Sequence, residues 1–295
     1  MITHMQELTE RQLVNVDRIA FLREQCIFFL PSFFIILAGM AGLIFYKPFN
    51  SYRIIGYNYL VTLILFIYFQ GKSYYAMSLY PVWIGFGAVY LAYILRKGWS
   101  YYIRYAVIAV VCITGILFIP LTCPVFSPDR IIHDEKVHDL YMKTGQTTWE
   151  DGVDHGIPQD YADMIGWKEL AGLAQKAFDH LNEVEKEHFF IICKDYGHAG
   201  AINYYMRPTH AAGSFSADYK DWFPKQPYEL KGIIWVDRPF ENIQEELASS
   251  GLPFTSIQQI GSVSNPISRE KGTCVYLITN PVSRFTTDDL YNWGI

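Results

Sequence analysis

The sequence predicts an α-helical membrane bundle of four spans, followed by an α/β domain outside the cytoplasm. Two observations predict this fold class. Residues 26–121 are strongly apolar and lack acidic side chains, whereas residues 123–295 alternate helical and strand patterns as a soluble domain does. The predicted division is an interfacial helix at residues 1–25, the bundle at 26–121 and the α/β domain at 122–295.

The bulk composition excludes some classes of function. The chain has 295 residues, of which 51% are apolar, and its net charge is -5. The negative charge and the lack of a basic stripe argue against nucleic-acid binding. The N-terminal residues are polar and charged, so we expect no cleavable signal peptide, and the apolar segments themselves would direct membrane insertion.

Each predicted span is based on its length, because a membrane-crossing helix needs about 20 predominantly apolar residues. The second span is a little short, and taken alone it could be a buried helix of a soluble protein. The fourth contains one charge, Arg104, close enough to its start to reach the membrane surface. The predicted spans are residues 26–46, 54–69, 74–95 and 101–121.

The loops between these spans predict an orientation. Lys47 and Arg53 flank the first loop, and Arg96 and Lys97 lie in the third. Positive loops lie in the cytoplasm, so we expect the second loop, at residues 70–73, and everything after residue 121 to lie outside. The predicted location is the cytoplasmic (inner) membrane, crossed several times, with the C-terminal domain outside.

Residues 8–23 precede the first span and show an amphipathic helical pattern. Their apolar side chains fall mostly on one face, which suits a helix lying in the membrane interface. The alternative is a helix that packs against the outer domain.

Residues 70–76, Gln-Gly-Lys-Ser-Tyr-Tyr-Ala, form the most informative segment. Lys72, Tyr74 and Tyr75 stand where the chain turns at the outer membrane surface. A lysine ammonium pairs with phosphate, and tyrosine rings suit the interface. The segment therefore predicts a lipid-phosphate site, with a simple interfacial anchor as the alternative.

The outer domain is predicted from alternating patterns of burial. The strand patterns are residues 189–193, 233–236, 254–260 and 273–278, and the helical patterns are 167–181, 195–205 and 240–250. Gly251 is expected to cap the last of these helices. This order indicates a mainly parallel sheet, with residues 285–295 at its periphery.

Other features of the outer domain carry weaker signals. Gly197 and Gly200 match neither a dinucleotide fingerprint nor a P-loop, so a structural turn is favoured over a phosphate site. His133, His138 and His155 stand among acids without diagnostic ligand spacing, which favours a solvated connector over a metal site.

The five cysteines match no zinc pattern. Cys193 and Cys274 lie in predicted strands. A disulfide between them is the alternative to two small buried thiols, which the sequence favours.

Several motifs follow one another in an order shared with a known family. They are Phe-Leu-Arg-Glu-Gln at 21–25, Tyr-Asn-Tyr-Leu at 57–60, Gly-Lys-Ser-Tyr-Tyr-Ala at 71–76, Leu-Tyr-Pro at 79–81, Gly-Phe-Gly-Ala at 85–88, Ile-Pro-Gln-Asp-Tyr-Ala-Asp-Met at 157–164 and Asp-Tyr-Gly-His-Ala-Gly-Ala-Ile-Asn-Tyr-Tyr at 195–205. In this order they resemble the C-terminal half of bacterial GT-C membrane glycosyltransferases of the family 39 group. This group is related to dolichyl-phosphate-mannose–protein mannosyltransferases and to the lipid A aminoarabinose transferase.

The resemblance implies transfer of a sugar from a polyprenyl-phosphate donor to an acceptor outside the cytoplasm. Lys72 would neutralise the departing lipid phosphate, and Tyr74 and Tyr75 would donate hydrogen bonds or pack on the isoprenoid. The implied partners are the polyprenyl-phosphate-linked sugar, membrane lipid and, for a split enzyme, a separate N-terminal half. No cofactor is firmly implied, and the binding of a divalent cation is left as an alternative.

The chain departs from the family where a catalytic acid is expected. Family members carry carboxylates in their first outer loop, as base or metal ligand, but residues 70–73 contain none. Asp160 and Asp163 are acids of the outer domain, and no catalytic base is assigned. Two interpretations therefore stay open: a glycosyltransferase or its C-terminal portion, and a non-catalytic accessory protein that binds a lipid-linked sugar, a glycan or a partner protein.

Overall fold

The computed structural model describes residues 18–208, 210–224 and 226–293. Within them the chain forms two compact units. The helical unit contains residues 18–137 and 150–153, and the α/β unit contains residues 138–149 and 154–293. The predicted interfacial helix at residues 8–23 lies largely outside the described residues, and helix is present from residue 18 onward.

The helical unit is built from α-helices joined by short 3₁₀ segments. Its helices are α1 (Arg18–Phe28), α2 (Phe33–Phe45), α3 (Arg53–Tyr68), α4 (Tyr80–Ile94), α5 (Ser100–Thr122) and α6 (Pro128–His133); α7 (Glu135–Lys143) follows in the chain. A 3₁₀ segment, Ser73–Leu79, runs directly into α4. Pro81 lies in the first turn of α4, where its missing N–H leaves no hydrogen bond unmade.

Two helices are long and apolar enough to cross a membrane. They are Ser73–Ile94, with 22 residues, and Ser100–Thr122, with 23 residues. The prediction of four spans is therefore wrong in its count. The second predicted span, residues 54–69, forms α3, whose 16 residues rise only about 24 Å, short of a hydrocarbon core of about 30 Å.

The first predicted span, residues 26–46, is interrupted. After α1 comes a 3₁₀ turn, Leu30–Ser32, before α2 begins. Pro31 in this turn cannot donate the backbone hydrogen bond that a continuous helix needs. A bend of 64° separates the helical segments Arg18–Phe28 and Leu30–Phe45. The two make a third candidate span only if they are counted as one helix.

Helices α2 and α4 form the centre of the helical unit. A Cβ atom on Gly39 would overlap the carbonyl oxygen of Trp83, and one on Gly87 would overlap the carbonyl oxygen of Ile35. The two glycines thus let the helix backbones meet. The buried residues around this contact are Phe21, Ile36, Leu43, Phe49, Ala76, Tyr80 and Trp83.

Helices α3 and α5 lie within the described residues and contain no buried residue. Large apolar side chains such as Tyr57 and Leu117 are about two-thirds exposed, at 65% and 68%. An apolar surface of this extent is expected on helices that lipid covers.

The α/β unit contains a five-stranded sheet in the order β2-β1-β3-β5-β4. The strands are β1 (Phe189–Cys193), β2 (Gly213–Ser214), β3 (Gly232–Asp237), β4 (Phe254–Ser262) and β5 (Cys274–Pro281). The helices are α8 (Gln159–Ala162), α9 (Trp167–Asp179), α10 (Glu183–Lys186), α11 (Tyr196–Tyr205), α12 (Ile243–Ser250) and α13 (Thr287–Trp293). The predicted strand at 189–193 is confirmed, and Gly251 caps α12 in the left-handed conformation, as predicted.

The sheet is mixed, so the prediction of a mainly parallel sheet is wrong. β1 pairs in parallel with β2 and β3, but β5 pairs antiparallel with both β3 and β4. The reason lies in the connection between β4 and β5. Residues 263–273 contain no helix, and a parallel pairing would need a long crossover.

Both faces of the sheet are covered. Helices α9 and α11 pack on one face, and α12 and the end of the chain pack on the other. Phe285 and Leu290 are buried in that second layer, and the Trp293 indole N–H donates to the Ser250 carbonyl oxygen at 2.6 Å. The prediction that residues 285–295 are peripheral is therefore wrong for its described part.

The five cysteines are all thiols without a disulfide. Cys193 ends β1 and Cys274 begins β5, with β3 between them. Two strand spacings amount to about 10 Å, beyond the reach of a disulfide. Burial, with Asp195 and Asp237 nearby, raises the pKa of the Cys193 thiol, which therefore stays protonated.

Candidate functional site

Lys72 stands at the start of one of the two long apolar helices. The chain leaves α3 at Tyr68, turns, and enters the helix Ser73–Ile94. Lys72 has an extended backbone (φ −64°, ψ 142°), and its carbonyl oxygen accepts the N–H of Tyr75 at 3.1 Å. The lysine ammonium and the positive end of the helix dipole therefore belong to the same end of this helix.

Glu150 is the partner of the Lys72 ammonium. Its Oε1 accepts a hydrogen bond from Lys72 Nζ in an ion pair. The Lys72 side chain is only 14% exposed and that of Glu150 is 33% exposed, so the ammonium is largely shielded from water and the carboxylate is partly exposed. Glu150 belongs to the helical unit through the segment Glu150–Val153.

The pKa of the Lys72 amine is raised above its ordinary value. Burial alone would lower this pKa, but the hydrogen bond and charge of Glu150 outweigh burial, and Tyr74 acts in the same direction. The amine is therefore protonated throughout the physiological pH range, and Lys72 is a permanent cation.

Tyr74 and Tyr75 complete the cluster. Lys72 Nζ lies 5.8 Å from the centroid of the Tyr74 ring, and the two tyrosine rings meet edge to face with centroids 4.8 Å apart. The tyrosines are 48% and 49% exposed, so each ring keeps a surface for a ligand or lipid. We call Lys72, Tyr74, Tyr75 and Glu150 the Lys72 cluster. The three site residues predicted for the donor thus lie together.

Gln25 of α1 fixes the turn that carries this cluster. Its amide nitrogen donates a hydrogen bond to the Ser73 carbonyl oxygen at 2.9 Å, and its side chain is buried. The Gly71 N–H donates to the Phe66 carbonyl oxygen at 2.8 Å on the other side of Lys72. Backbone on both sides of Lys72 is therefore held in place.

Glu150 is the residue of this cluster that sequence reasoning missed. It stands 78 positions after Lys72, among the acids interpreted as a solvated connector, and no motif or periodicity links the two positions. The one usable signal was charge, since a shielded ammonium requires an anion beside it.

Asp160 and Asp163 belong to the α/β unit and are not part of the Lys72 cluster. Asp160 is exposed on α8. Both carboxylate oxygens of Asp163 lie 3.2 Å from Nη1 of Arg269, which anchors the β4–β5 connection. This partly exposed ion pair joins the residue after α8 to the β4–β5 connection, and the possible functional role of Asp160 and Asp163 stays a prediction.

A second polar network lies at the start of α11, in the α/β unit. His198 Nε2 and Glu270 Oε2 are 2.6 Å apart, with side chains 10% and 17% exposed. The Thr273 hydroxyl donates to the same carboxylate oxygen at 3.1 Å. This network joins α11 to the connection between β4 and β5.

The carboxylate of this network is ionised. Burial by itself would raise the pKa of Glu270, but the hydrogen bond and charge of His198 lower it, helped by Thr273 and Arg269. The resulting pKa lies below the ordinary value for glutamate.

A metal site needs several donor side chains at one place. In the described part of the chain, no group of three or more His, Cys, Asp or Glu side chains could hold a metal ion. Of the three histidines considered for a metal, His155 stacks on the Trp149 ring with centroids 3.7 Å apart.

No protein-family model, curated protein or solved structure matches this chain.

Proposed function

We propose that the chain is a membrane glycosyltransferase, or the C-terminal portion of one. It would move a sugar from a polyprenyl-phosphate donor to an acceptor outside the cytoplasm. The observation that carries this proposal is the Lys72–Glu150 pair. A shielded, permanently charged ammonium holds an anion at the end of an apolar helix, and a lipid phosphate is an anion attached to an apolar chain.

The cluster suits the departure of a lipid phosphate. As the bond between sugar and phosphate breaks, negative charge grows on the phosphate, and a fixed ammonium stabilises it most in a site shielded from water. Tyr74 and Tyr75 offer half-exposed rings beside this ammonium, on which the first isoprene units can pack.

We place the Lys72 end of the helix outside the cytoplasm. Ser73–Ile94 leads to Arg96 and Lys97, and Ser100–Thr122 leads back across. The positive-inside rule puts Arg96 and Lys97 in the cytoplasm, so Lys72 and the chain after Thr122 lie on the other side. The inner membrane is the proposed location.

A non-catalytic accessory role is the second candidate. It is favoured by residues 70–73, which lack the loop carboxylates that the resembling family uses for catalysis. In this role the Lys72 cluster holds a lipid-linked sugar without transferring it, and the α/β unit recognises a glycan or a partner protein.

Transfer from a labelled polyprenyl-phosphate sugar distinguishes the two candidates. Membranes containing the chain, alone and then with a candidate N-terminal half, are incubated with the labelled donor. Both the donor retained by the protein and the sugar transferred are measured. An enzyme transfers sugar in at least one of the two preparations, and Asp160→Asn is then the first acid variant to assay. An accessory protein retains the donor in both preparations and transfers none.

We expect Lys72→Gln to lower transfer by about 100-fold, because a donor to a developing oxyanion contributes roughly 3 kcal/mol. Donor retention should fall as well. Lys72→Arg keeps the charge and should keep most of the sugar transfer and most of the donor retention. Lys136→Gln removes the same charge from an exposed position of α7 and serves as the control. Unchanged donor retention in Lys72→Gln would exclude the Lys72 cluster as the phosphate site.

A further inference from the structure

We infer that Glu150 is a built-in counter-ion that occupies the position of the donor phosphate and must leave Lys72 before that phosphate can bind. The inference rests on the proposed function and adds a gate to the same site. The gate would favour a lipid-linked phosphate over a phosphate without a lipid.

The first step of the argument is charge balance. Lys72 carries one positive charge, and Glu150 already neutralises it. A phosphate entering beside an unmoved Glu150 would add negative charge next to a carboxylate, where little water is present to screen the repulsion. The two anions therefore compete for one ammonium.

The second step is the cost of an unpaired ammonium. Lys72 is shielded from water, and a shielded charge without a partner is costly. Glu150 therefore keeps Lys72 in place while no donor is bound. Of the two partners Glu150 is the more exposed, at 33% against 14%, so the carboxylate reaches water more readily when the pair separates.

The third step concerns the segment that carries Glu150. Within Glu150–Val153, Asp151 Oδ1 accepts the N–H of Val153 at 2.9 Å, and Gly152 has a φ of 78°, which favours glycine. Rotation about the Glu150 side-chain bonds would move its carboxylate away from Lys72 without changing either of these two features of the turn.

Selectivity follows from this competition. A phosphate without a lipid competes for Lys72 through its charge alone, against a carboxylate that is already attached to the chain. A polyprenyl phosphate adds apolar contact with Tyr74 and Tyr75, which are half-exposed beside the ammonium. That extra contact is what lets the lipid-linked form displace Glu150.

The test uses the full chain in lipid nanodiscs and a fluorescent polyprenyl monophosphate as the probe. We expect Glu150→Gln to bind the probe about fivefold to tenfold more tightly, because the competing charge is lost while the side-chain shape is kept. Inorganic phosphate should compete with the probe in Glu150→Gln and should compete much less in the unmodified chain. Asp151→Asn removes the same charge from the neighbouring position and should leave probe binding unchanged.

Lys72→Gln provides the second arm of the experiment. It should weaken probe binding, and adding Glu150→Gln to it should have little further effect, because Glu150 acts through Lys72. If Glu150→Gln leaves binding unchanged or weakens it while Lys72→Gln weakens it, the gate is overturned and the phosphate site stands. If neither substitution changes binding, the proposed phosphate site itself fails. Thermal unfolding of each variant, with Lys72→Arg as the charge-conserving reference, checks that the fold is intact.

Discussion

Gly87→Ala is expected to destabilise the helical unit by about 3 kcal/mol, at the upper end of the cost of overpacking. A Cβ atom at this position would overlap the carbonyl oxygen of Ile35 and lie 2.8 Å from its carbonyl carbon. Backbone cannot move aside as a flexible side chain can, so α2 and α4 must separate. Trp83 is buried near this contact, and its exposure should follow the separation. Unfolding in mixed micelles, titrated with a denaturing detergent and followed by tryptophan fluorescence, measures the effect.

Gly85→Ala is the matched control, two positions away on the same helix. No atom lies within 4 Å of a Cβ atom built on Gly85. This substitution should be neutral or slightly stabilising, since alanine favours helix over glycine. Equal effects of the two substitutions would show that close approach of α2 and α4 does not limit the stability of the helical unit.

Glu270→Ala is expected to destabilise the α/β unit by about 2–3 kcal/mol. The substitution leaves His198 buried without its partner and removes the tie between α11 and the β4–β5 connection. Glu270→Gln should cost less, because its amide oxygen can still accept a hydrogen bond from the imidazole. Hydrogen exchange at the backbone amides of α11 measures the change within the full chain.

Glu270→Ala should also change how the stability of α11 depends on pH in the acidic range. The pKa of Glu270 is lowered in the folded chain from an ordinary value of 4.5. Its contribution is therefore complete above that ordinary value and is lost as the pH falls through the lower folded-state pKa. The difference in protection between the unmodified chain and Glu270→Ala should shrink across this acidic range. Glu187→Gln, which changes an exposed glutamate, should follow the unmodified chain at every pH. A difference that stayed constant with pH would mean that the Glu270 charge is not what stabilises α11.

The sequence predicts individual elements of the α/β unit better than their arrangement. β1 is a run of five buried apolar residues that begins after His188 and ends before Lys194, both polar, so its pattern defines both of its ends. β5 is also apolar and lies between β3 and β4, and a strand with two neighbours has the same pattern whether they are parallel or antiparallel. Its direction depends on the connection from β4, which the strand pattern does not contain.

For the helical unit, the prediction from sequence fails for a different reason. Hydropathy identifies apolar segments, but it does not detect where a helix breaks. Pro31 divides the first predicted span, and α3 ends at Tyr68 before it reaches the length of a full crossing. The residues of the candidate site also differ in how far the sequence predicts them. Local sequence places Lys72, Tyr74 and Tyr75 together, whereas Glu150 joins them only through the tertiary fold.

The strand order leaves one long strand at an edge of the sheet. β4 has nine residues and lies outermost, whereas β2, at the opposite margin, has only two. The unpaired backbone groups of an edge strand can pair with a strand of another molecule and start aggregation. In β4 the pairing register shifts between Gln259 and Gly261, and such a bulge bends the strand out of a flat ribbon. Any pairing of β4 with a strand of another molecule would therefore involve its first half, where a lysine in place of the partly exposed Ser256 is expected to oppose it.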